Sequence, residues 1–437
     1  MKRLSAPVDI QLELTEACNQ KCLHCYNYWR YLDCPRHEEL SLADFSAILD
    51  QARECGVHLI TLTGGEPLIR KNILFPLVRK ARSCGFEVGL NSNATSLDHE
   101  SAEELKGAGL DHALISLLGT EHTHDTIAGL KGGFQRTITG IGNLLSVGIP
   151  VSVNMVVSKT NLGEVFAVAT MLRDIGVKSF CGTPVVPSNR KNIPMMLSPA
   201  ECKTMLRTLS RAGRELGLRV DVLEPVARCL FSEEEEDEFI RFFYQRNCAA
   251  AVMSCAISST GYMRPCIHSD VVFGNVLQEG LSAVWHKMDP WTSHKILPQD
   301  CHSCAAVVIC EGGCRMAAKL INGAYDAKDM YMTGPIHDLE RIHKLPHGKG
   351  GGEDISAKTM LRRNLSCKVR KEEFGYVVMS DGGVYFITEA AHDFVEYLES
   401  LCSFSIESLV LAGHIEGDVS QAIKDLWTAN ILERERR

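Results

Sequence analysis

The feature that most constrains this chain is a group of three closely spaced cysteines, Cys18, Cys22 and Cys25, which follows a strand-like run at residues 8–15. Three thiolates crowded on one short loop can hold an iron-sulfur cluster while leaving one iron atom without a protein ligand. A structural zinc site is the alternative, but such sites close with four ligands, and only His24 is available locally. The triplet alone does not decide between an iron-sulfur cluster and a zinc site.

The choice between these sites is made by a second motif, one strand and one helix further along, which reads Thr63, Gly64, Gly65, Glu66 and Pro67. Together the two motifs resemble the radical S-adenosylmethionine (radical SAM) enzymes, in which the amino and carboxylate groups of SAM occupy the open iron. The resemblance implies that the triplet holds a [4Fe-4S] cluster. His24 stands at the motif position, just before the third cysteine, that carries a ring side chain in the family. The resemblance also implies that the motif from Gly64 to Pro67 binds the methionine amino group of SAM. It assigns no catalytic residue beyond the three cluster ligands.

Alternating strand-like and amphipathic runs predict the fold of the first half of the chain. Six runs read as strands, at residues 8–15, 58–63, 86–91, 112–117, 151–157 and 178–181. Six such βα units predict an α/β fold with a parallel sheet, whose right-handed crossovers bring the carboxyl ends of the strands to one rim. Ligand-binding groups collect at such a rim, and both motifs directly follow strands. The resemblance adds that the sheet is a partial (β/α)6 barrel.

Two further strand ends fit the same interpretation. Asn93 follows the third strand, where the family often has Thr-Asn-Gly, and Ser116 ends the fourth strand. The resemblance implies that both residues bind SAM, with Ser116 at the carboxylate group. The alternative for each is an ordinary helix cap or turn residue. Leu118 stands where the family frequently has an aspartate, so a role of that carboxylate is not carried over to this chain.

A second cysteine-rich region contains Cys248, Cys266, Cys301, Cys304, Cys310 and Cys314. These residues match six of the seven cysteines of the SPASM extension of radical SAM enzymes, which carries two auxiliary iron-sulfur clusters. A zinc site on the last four cysteines is the alternative. The family pattern implies a first auxiliary cluster on Cys248, Cys266 and Cys314, with Cys255 as an added candidate ligand.

The second auxiliary cluster would be held by Cys301, Cys304 and Cys310, but its usual last cysteine is missing. Met332 stands in that place, and a thioether is a weak ligand beside a thiolate. We therefore expect the second cluster to have fewer than four cysteine ligands. An open iron, a carboxylate such as Asp329, or the absence of a stable cluster are the possible outcomes.

The chain is expected to divide into a barrel at residues 1–230, a SPASM region at 231–343, a linker at 344–357 and a small unit at 358–437. In that unit a hairpin at 374–380 and 384–388 precedes helical patterns. The unit resembles the PqqD-like winged-helix domains that bind leader peptides of ribosomally made, modified peptides. A DNA-binding winged helix is the alternative, but ten basic against thirteen acidic residues from residue 358 onward disfavour contact with phosphates.

We expect a leader peptide to pair with the edge of the strand at 384–388 and to lie beside a helix at 418–429. A free strand edge offers unpaired backbone groups, and neighbouring apolar side chains give selectivity. The side chains expected to contact the peptide are Val384, Phe386, Leu426 and Ile431.

The net charge of −8 gives no sign of a nucleic-acid surface, and no apolar run is long enough for a membrane span. The 18 cysteines are then best explained as metal ligands and buried thiols of a cytoplasmic protein.

The resemblance implies that the cluster of the triplet, reduced by a donor such as flavodoxin or ferredoxin, cleaves SAM to methionine and a 5′-deoxyadenosyl radical. The leading hypothesis is an oxidoreductase that crosslinks a ribosomally made precursor peptide, bound through its leader. A maturase of a protein side chain or a small-molecule cofactor synthase would use the same chemistry. An iron-sulfur winged-helix regulator is the non-enzyme alternative, against which the Gly-Gly-Glu-Pro motif and the acidic last unit argue.

Overall fold

A computed structural model describes residues 4–31, 38–235, 239, 247–292, 296–337, 360–364, 367–380, 383–401, 405, 423, 426–427 and 431–434. The described residues fall into two units, one ending at residue 337 and the other beginning at residue 360. The expected linker at 344–357 and most of the expected helix at 418–429 lie outside the described residues.

The first unit is built on a ten-stranded sheet whose central strands are parallel and follow chain order. These strands are β1 (Asp9–Glu13), β2 (Leu59–Thr63), β3 (Glu87–Ser92), β4 (His112–Ser116), β5 (Val151–Val157), β6 (Ser179–Pro184) and β7 (Arg219–Asp221). Their interior residues are β-branched or apolar and mostly buried, as expected for a parallel sheet covered on its faces. The predicted parallel α/β sheet is confirmed, and the short β7 extends it beyond the six predicted strands.

Helices between these strands cover the sheet. They are α1 (Leu42–Glu54), α2 (Lys71–Ser83), α3 (His99–Ala108), α4 (Glu121–Ala128), α5 (Gly133–Ser146), α6 (Val165–Asp174) and α7 (Pro199–Leu216). Ser41 and Ser198 form capping boxes at the starts of α1 and α7, which satisfy backbone N–H groups of the first turn. None of the helices that the structure describes combines the length and the apolarity needed to cross a bilayer.

The cysteine-rich region continues the same sheet. Strand β8 (Ser254–Ile257) pairs in parallel with β1, and β9 (Tyr262–Arg264) and β10 (Gly274–Asn275) extend the edge in antiparallel fashion. Short helices follow: α8 (Val276–Glu279), α9 (Leu281–His286), α10 (Asp289–Thr292), α11 (Val307–Cys310) and α12 (Arg315–Asn322). A buried ion pair between Arg264 and Glu13, with side chains 0% and 2% exposed, ties β9 to β1.

The second unit contains a three-stranded antiparallel sheet of β12 (Lys368–Glu372), β13 (Gly375–Ser380) and β14 (Gly383–Ile387). A separate pair joins β11 (Leu361–Arg363) to β15 (Leu432–Arg434), and α13 (Glu389–Ser400) packs near both sheets. The predicted hairpin is confirmed, and β14 is an edge strand among the described residues. Leu426 and Ile431, expected to contact a peptide, are instead buried in the core of this unit.

Candidate functional site

The cysteine triplet lies on the loop after β1, at the rim formed by the carboxyl ends of the strands. The backbone N–H groups of Lys21 and Leu23 donate to carbonyls at the end of α4, at 2.8 and 2.9 Å. On another side, the Asn192 amide donates to the Leu23 carbonyl at 2.7 Å, and the Ser188 hydroxyl donates to the Cys25 carbonyl at 2.6 Å. The loop is thus held in place by hydrogen bonds to its backbone from two sides.

The glycine-rich motif follows β2 and lies directly against the segment that leads into the triplet. The Gly65 N–H donates to the Thr15 carbonyl at 2.6 Å, and the Glu66 N–H donates to the Ala17 carbonyl at 2.8 Å. A Cβ atom on Gly65 would lie 2.0 Å from the Ala17 oxygen. Gly64 has φ +137°, and its Cβ would lie 2.6 Å from the Thr15 oxygen. Both positions require glycine because the two backbones approach so closely.

The Glu66 side chain links neighbouring strand ends at this rim. Its carboxylate accepts hydrogen bonds from the Ser92 hydroxyl at 2.7 Å, from the Asn93 N–H at 2.8 Å, and from the Leu68 N–H at 3.1 Å. Burial raises the pKa of Glu66. These bonds tie the end of β2 to the end of β3, while Pro67 begins the short 3-10 helix Pro67–Arg70.

Asn93 and Ser116, both predicted to bind SAM, lie at the same rim. The Asn93 amide donates to the Asn19 side-chain oxygen at 2.8 Å and lies 4.0 Å from the Cys18 sulfur. Asn93 is therefore beside the triplet. Ser116 ends β4, half-buried, and is the register partner of Asn154 on β5.

Buried polar atoms on the triplet loop fit a bound polar group. Nδ1 of His24, Nε2 of Gln20 and Oδ1 of Asn27 are buried without a hydrogen-bond partner among the described residues. Burial lowers the pKa of His24 to about 4, so the ring is neutral at pH 7. Burial also raises the pKa of Cys22 to about 12, and the other two thiols of the triplet act in the same direction. The three thiols are therefore close together, and a cation that binds them must displace their protons.

Three cysteines of the second region form another group around a carboxylate. Burial raises the pKa of Cys248 to about 12 and that of Cys266 to about 11, and it raises the pKa of Cys314 well above its usual value. The Glu224 carboxylate adds to the rise of the pKa at all three thiols. Its Oε1 atom lies 2.9 Å from Nε2 of His268. The trio matches the ligand set expected for the first auxiliary cluster, with Glu224 as a neighbour that the sequence analysis missed.

Cys255 does not join this trio. It lies on β8, where it is the register partner of Ile10, and it belongs to the hydrophobic core. Its pKa is raised by burial and by Asp9 rather than by another thiol. Strand pairing thus places the Cys255 side chain away from the position that its spacing suggested.

The cysteines expected to hold the second auxiliary cluster line one pocket. Cys301, Cys304 and Cys310 are there, as predicted, and so is Cys229, which the sequence analysis did not single out. Burial raises the pKa of Cys301 to about 12, and Cys310 and Cys229 among its neighbours act in the same direction. A fourth thiol, from a distant part of the chain, thus lines the pocket of the three expected cysteines.

Met332 lines the same pocket, but Asp329 does not. The Asp329 carboxylate accepts hydrogen bonds from the Cys314 N–H at 2.9 Å and from the Tyr331 N–H at 2.8 Å. It is engaged in holding the loop and is not placed as a substitute ligand at the second group of cysteines.

Sequence spacing could not find Cys229 or Glu224. The missing cysteine at Met332 indicates that another residue could complete the site, but no sequence pattern identifies residue 229 as that residue. Asn19 could have been noted because it lies inside the triplet itself.

Comparisons with known proteins agree with this arrangement. Residues 12–172 match the Radical SAM superfamily, and residues 248–305 match SPASM, an iron-sulfur cluster-binding domain. An AdoMet-dependent heme synthase of Methanosarcina barkeri is 26% identical over 340 residues, covering 75% of this chain and 96% of that protein. A PqqA peptide cyclase of Rhizobium meliloti is 26% identical over 354 residues, covering 77% of this chain and 90% of that protein.

The fold is also similar to a crystal structure of Streptococcus suis SuiB bound to precursor peptide SuiA. The two share 19% identity with a TM-score of 0.60, and the similarity covers 75% of each chain. At this identity the similarity concerns the fold. The cofactors that the two matched domains imply are SAM, a [4Fe-4S] cluster and auxiliary iron-sulfur clusters, and the thiol groups fit them. The chain therefore carries a radical SAM domain at residues 12–172 and a SPASM domain at residues 248–305, the domains of a radical SAM enzyme.

Proposed function

We propose that this enzyme modifies a ribosomally made precursor peptide, most simply by forming a crosslink, in the cytoplasm. The observation that carries the proposal is the combination of three separate thiol groups with a second unit in which β14 is an edge strand among the residues that the structure describes. Similarity to a PqqA peptide cyclase over 77% of the chain supports a peptide substrate.

The ligand assignments are part of this proposal. Cys18, Cys22 and Cys25 would hold the cluster that binds SAM, while the trio around Cys248 and the group around Cys301 would hold auxiliary clusters. When bound, the first cluster supplies the electron that cleaves SAM to methionine and a 5′-deoxyadenosyl radical, and the auxiliary clusters take up electrons released by an oxidative crosslink. A donor such as flavodoxin or ferredoxin would supply the reducing electron.

The chain's own residues position the small molecule. The backbone of the Gly64–Pro67 motif, fixed by hydrogen bonds to the segment before the triplet, would present its carbonyl groups to the methionine amino group. His24 would line the site as a neutral ring, while Asn93 and Ser116 would offer polar groups from neighbouring strand ends.

The test of the radical step uses anaerobically reconstituted protein. Cys22→Ala should abolish reductive cleavage of SAM to 5′-deoxyadenosine, because two thiolates do not hold the cluster in a form that binds SAM. Cys84→Ala is the matched control, since Cys84 caps α2 away from the three thiol groups. Undiminished 5′-deoxyadenosine formation by the Cys22 variant would contradict the assignment.

The peptide-binding step concerns the edge of β14. Phe386 on this strand is 51% exposed, which is unusual for a large apolar side chain and suits a contact with an extended peptide. Phe386→Ala should weaken binding of a fluorescent leader peptide, whereas Leu401→Ala, which removes another exposed side chain of the same unit, should not. Equal affinities of the two variants would argue against the strand edge as the binding site.

Deletion of residues 353–437 tests the whole unit. The truncated chain should still cleave SAM without substrate but should no longer modify the full-length precursor, as measured by mass spectrometry after co-expression with a peptide encoded beside the gene. Modification at the wild-type rate would refute the role of the unit.

The similarity to a heme synthase over 75% of the chain favours one competing function, in which the substrate is a precursor of heme. Incubation of the reconstituted enzyme with such a precursor and SAM distinguishes the two. Turnover of the heme precursor, without change in any co-expressed peptide, would favour the competing function.

A further inference from the structure

The second group of cysteines contains a thiol from outside the SPASM motif. Cys229 lies on the short 3-10 helix Arg228–Leu230, immediately after the barrel, whereas Cys301, Cys304 and Cys310 lie far along the chain. All four line one pocket, together with Met332. Four cysteines around one pocket are the ligand set of a complete [4Fe-4S] site.

Backbone N–H groups point at three of these sulfur atoms. The Arg228 N–H donates to the Cys310 sulfur at 3.3 Å, and the Ile336 N–H donates to the Cys304 sulfur at 3.3 Å. The Thr333 N–H donates to the Cys229 sulfur at 3.4 Å. Hydrogen bonds to cysteine sulfur are a usual means of stabilising an iron-sulfur cluster, since the thiolates carry its negative charge. Cys229 therefore shares this environment with the predicted ligands.

The segment around Met332, where the family's last cysteine is missing, forms hydrogen bonds with Cys229. Thr333, the residue after Met332, donates its hydroxyl to the Cys229 carbonyl in addition to its backbone bond to the sulfur. The Met332 sulfur accepts from the Asp329 N–H at 3.4 Å and lies 4.0 Å from Nη2 of Arg315. The thioether is thus occupied by contacts with Asp329 and Arg315, and the thiol of Cys229 is a stronger ligand for iron.

We propose that Cys229 is the fourth cysteine ligand of the second auxiliary cluster, in place of the cysteine that Met332 replaces. The inference rests on the proposed function in one respect, namely that Cys301, Cys304 and Cys310 hold a cluster. It has a functional consequence: a cluster with four thiolates has no open iron, so this site passes electrons rather than binding substrate.

The test measures iron and acid-labile sulfide per chain, with electron paramagnetic resonance of the reduced protein. Cys229→Ala and Cys301→Ala should each lose the signal of one cluster and up to about four iron atoms. Cys84→Ala is the control and should keep the wild-type iron content. Adding Met332→Cys to the Cys229→Ala chain should restore the lost iron and signal, which a mere folding defect would not allow.

Alkylation with iodoacetamide gives a second readout on the unaltered chain. In the loaded protein Cys229 should be protected to the same extent as Cys301, and removal of iron with a chelator should expose both. Labelling of Cys229 in the loaded protein at the rate seen after chelation would overturn the inference, as would wild-type iron and signal in Cys229→Ala. If both Cys229→Ala and Cys301→Ala keep the wild-type iron content, the proposed second auxiliary cluster itself is refuted. If Cys229→Ala keeps its iron but Cys301→Ala loses it, the cluster site stands and its fourth ligand is a group other than Cys229.

Discussion

Gly65→Ala tests whether the close approach of two backbones builds the SAM site. The new Cβ would lie 2.0 Å from the Ala17 oxygen and 2.6 Å from its carbonyl carbon, where ordinary contacts begin at 3.4 Å. Because the obstacle is backbone, no side-chain rotation relieves it. The two segments must separate by about 1.4 Å, the difference between 2.0 and 3.4 Å.

That separation breaks the hydrogen bonds from Gly65 to Thr15 and from Glu66 to Ala17, which are 2.6 and 2.8 Å long. A buried backbone group left without its partner costs about 1–3 kcal/mol, so the two together should cost about 2–6 kcal/mol. The loss falls on the segment that leads into the triplet. We therefore expect Gly65→Ala to reduce the iron bound at the triplet and to reduce SAM cleavage by at least about tenfold.

Iron per chain, SAM cleavage and thermal unfolding are measured on anaerobically reconstituted protein. Gly142→Ala is the matched control, because Gly142 lies exposed within α5 with no heavy atom within 4 Å of the added Cβ. It should leave activity unchanged and raise stability by about 0.5–1 kcal/mol. The reasoning is refuted if Gly65→Ala matches the control in iron content and in the rate of SAM cleavage.

Two further predictions concern stability. Because Arg264 and Glu13 form a buried ion pair, Arg264→Met should lower the free energy of unfolding by about 3–5 kcal/mol, and adding Glu13→Gln should recover part of this loss. If the losses caused by the two substitutions are additive in a double-mutant cycle measured by denaturant unfolding, the pairing is contradicted. Hydrogen bonds from His112 and His58 hold the pKa of Glu87 well below its ordinary value of 4.5, so Glu87 stabilises the fold above that pH, and this contribution is lost on acidification below it. When the pH is lowered from about 5 to about 3, the free energy of unfolding measured by urea titration should therefore fall less for Glu87→Gln than for the wild type. An equal fall for the two proteins would disprove this.

Local patterns in the sequence were sufficient for the barrel and for its cysteine loop. The strand at residues 151–157 was predicted with the bounds that the structure shows, since alternating apolar residues report directly which positions are buried. The triplet and the Gly-Gly-Glu-Pro motif needed no tertiary information either. Their spacing places the groups on single loops after strands, and parallel strands bring such loops to one rim.

The auxiliary sites depend on contacts between segments far apart in the chain. Cys255 had a suitable spacing, but pairing of β8 with β1 directs its side chain into the core, because alternate residues of a strand face opposite sides. Cys229 had no motif, yet the fold brings its segment against Cys310, which lies 82 positions after Arg228 in the sequence. Spacing in the sequence therefore determined the thiols that one loop brings together, whereas a thiol that joins such a group from a distant segment was decided by packing alone.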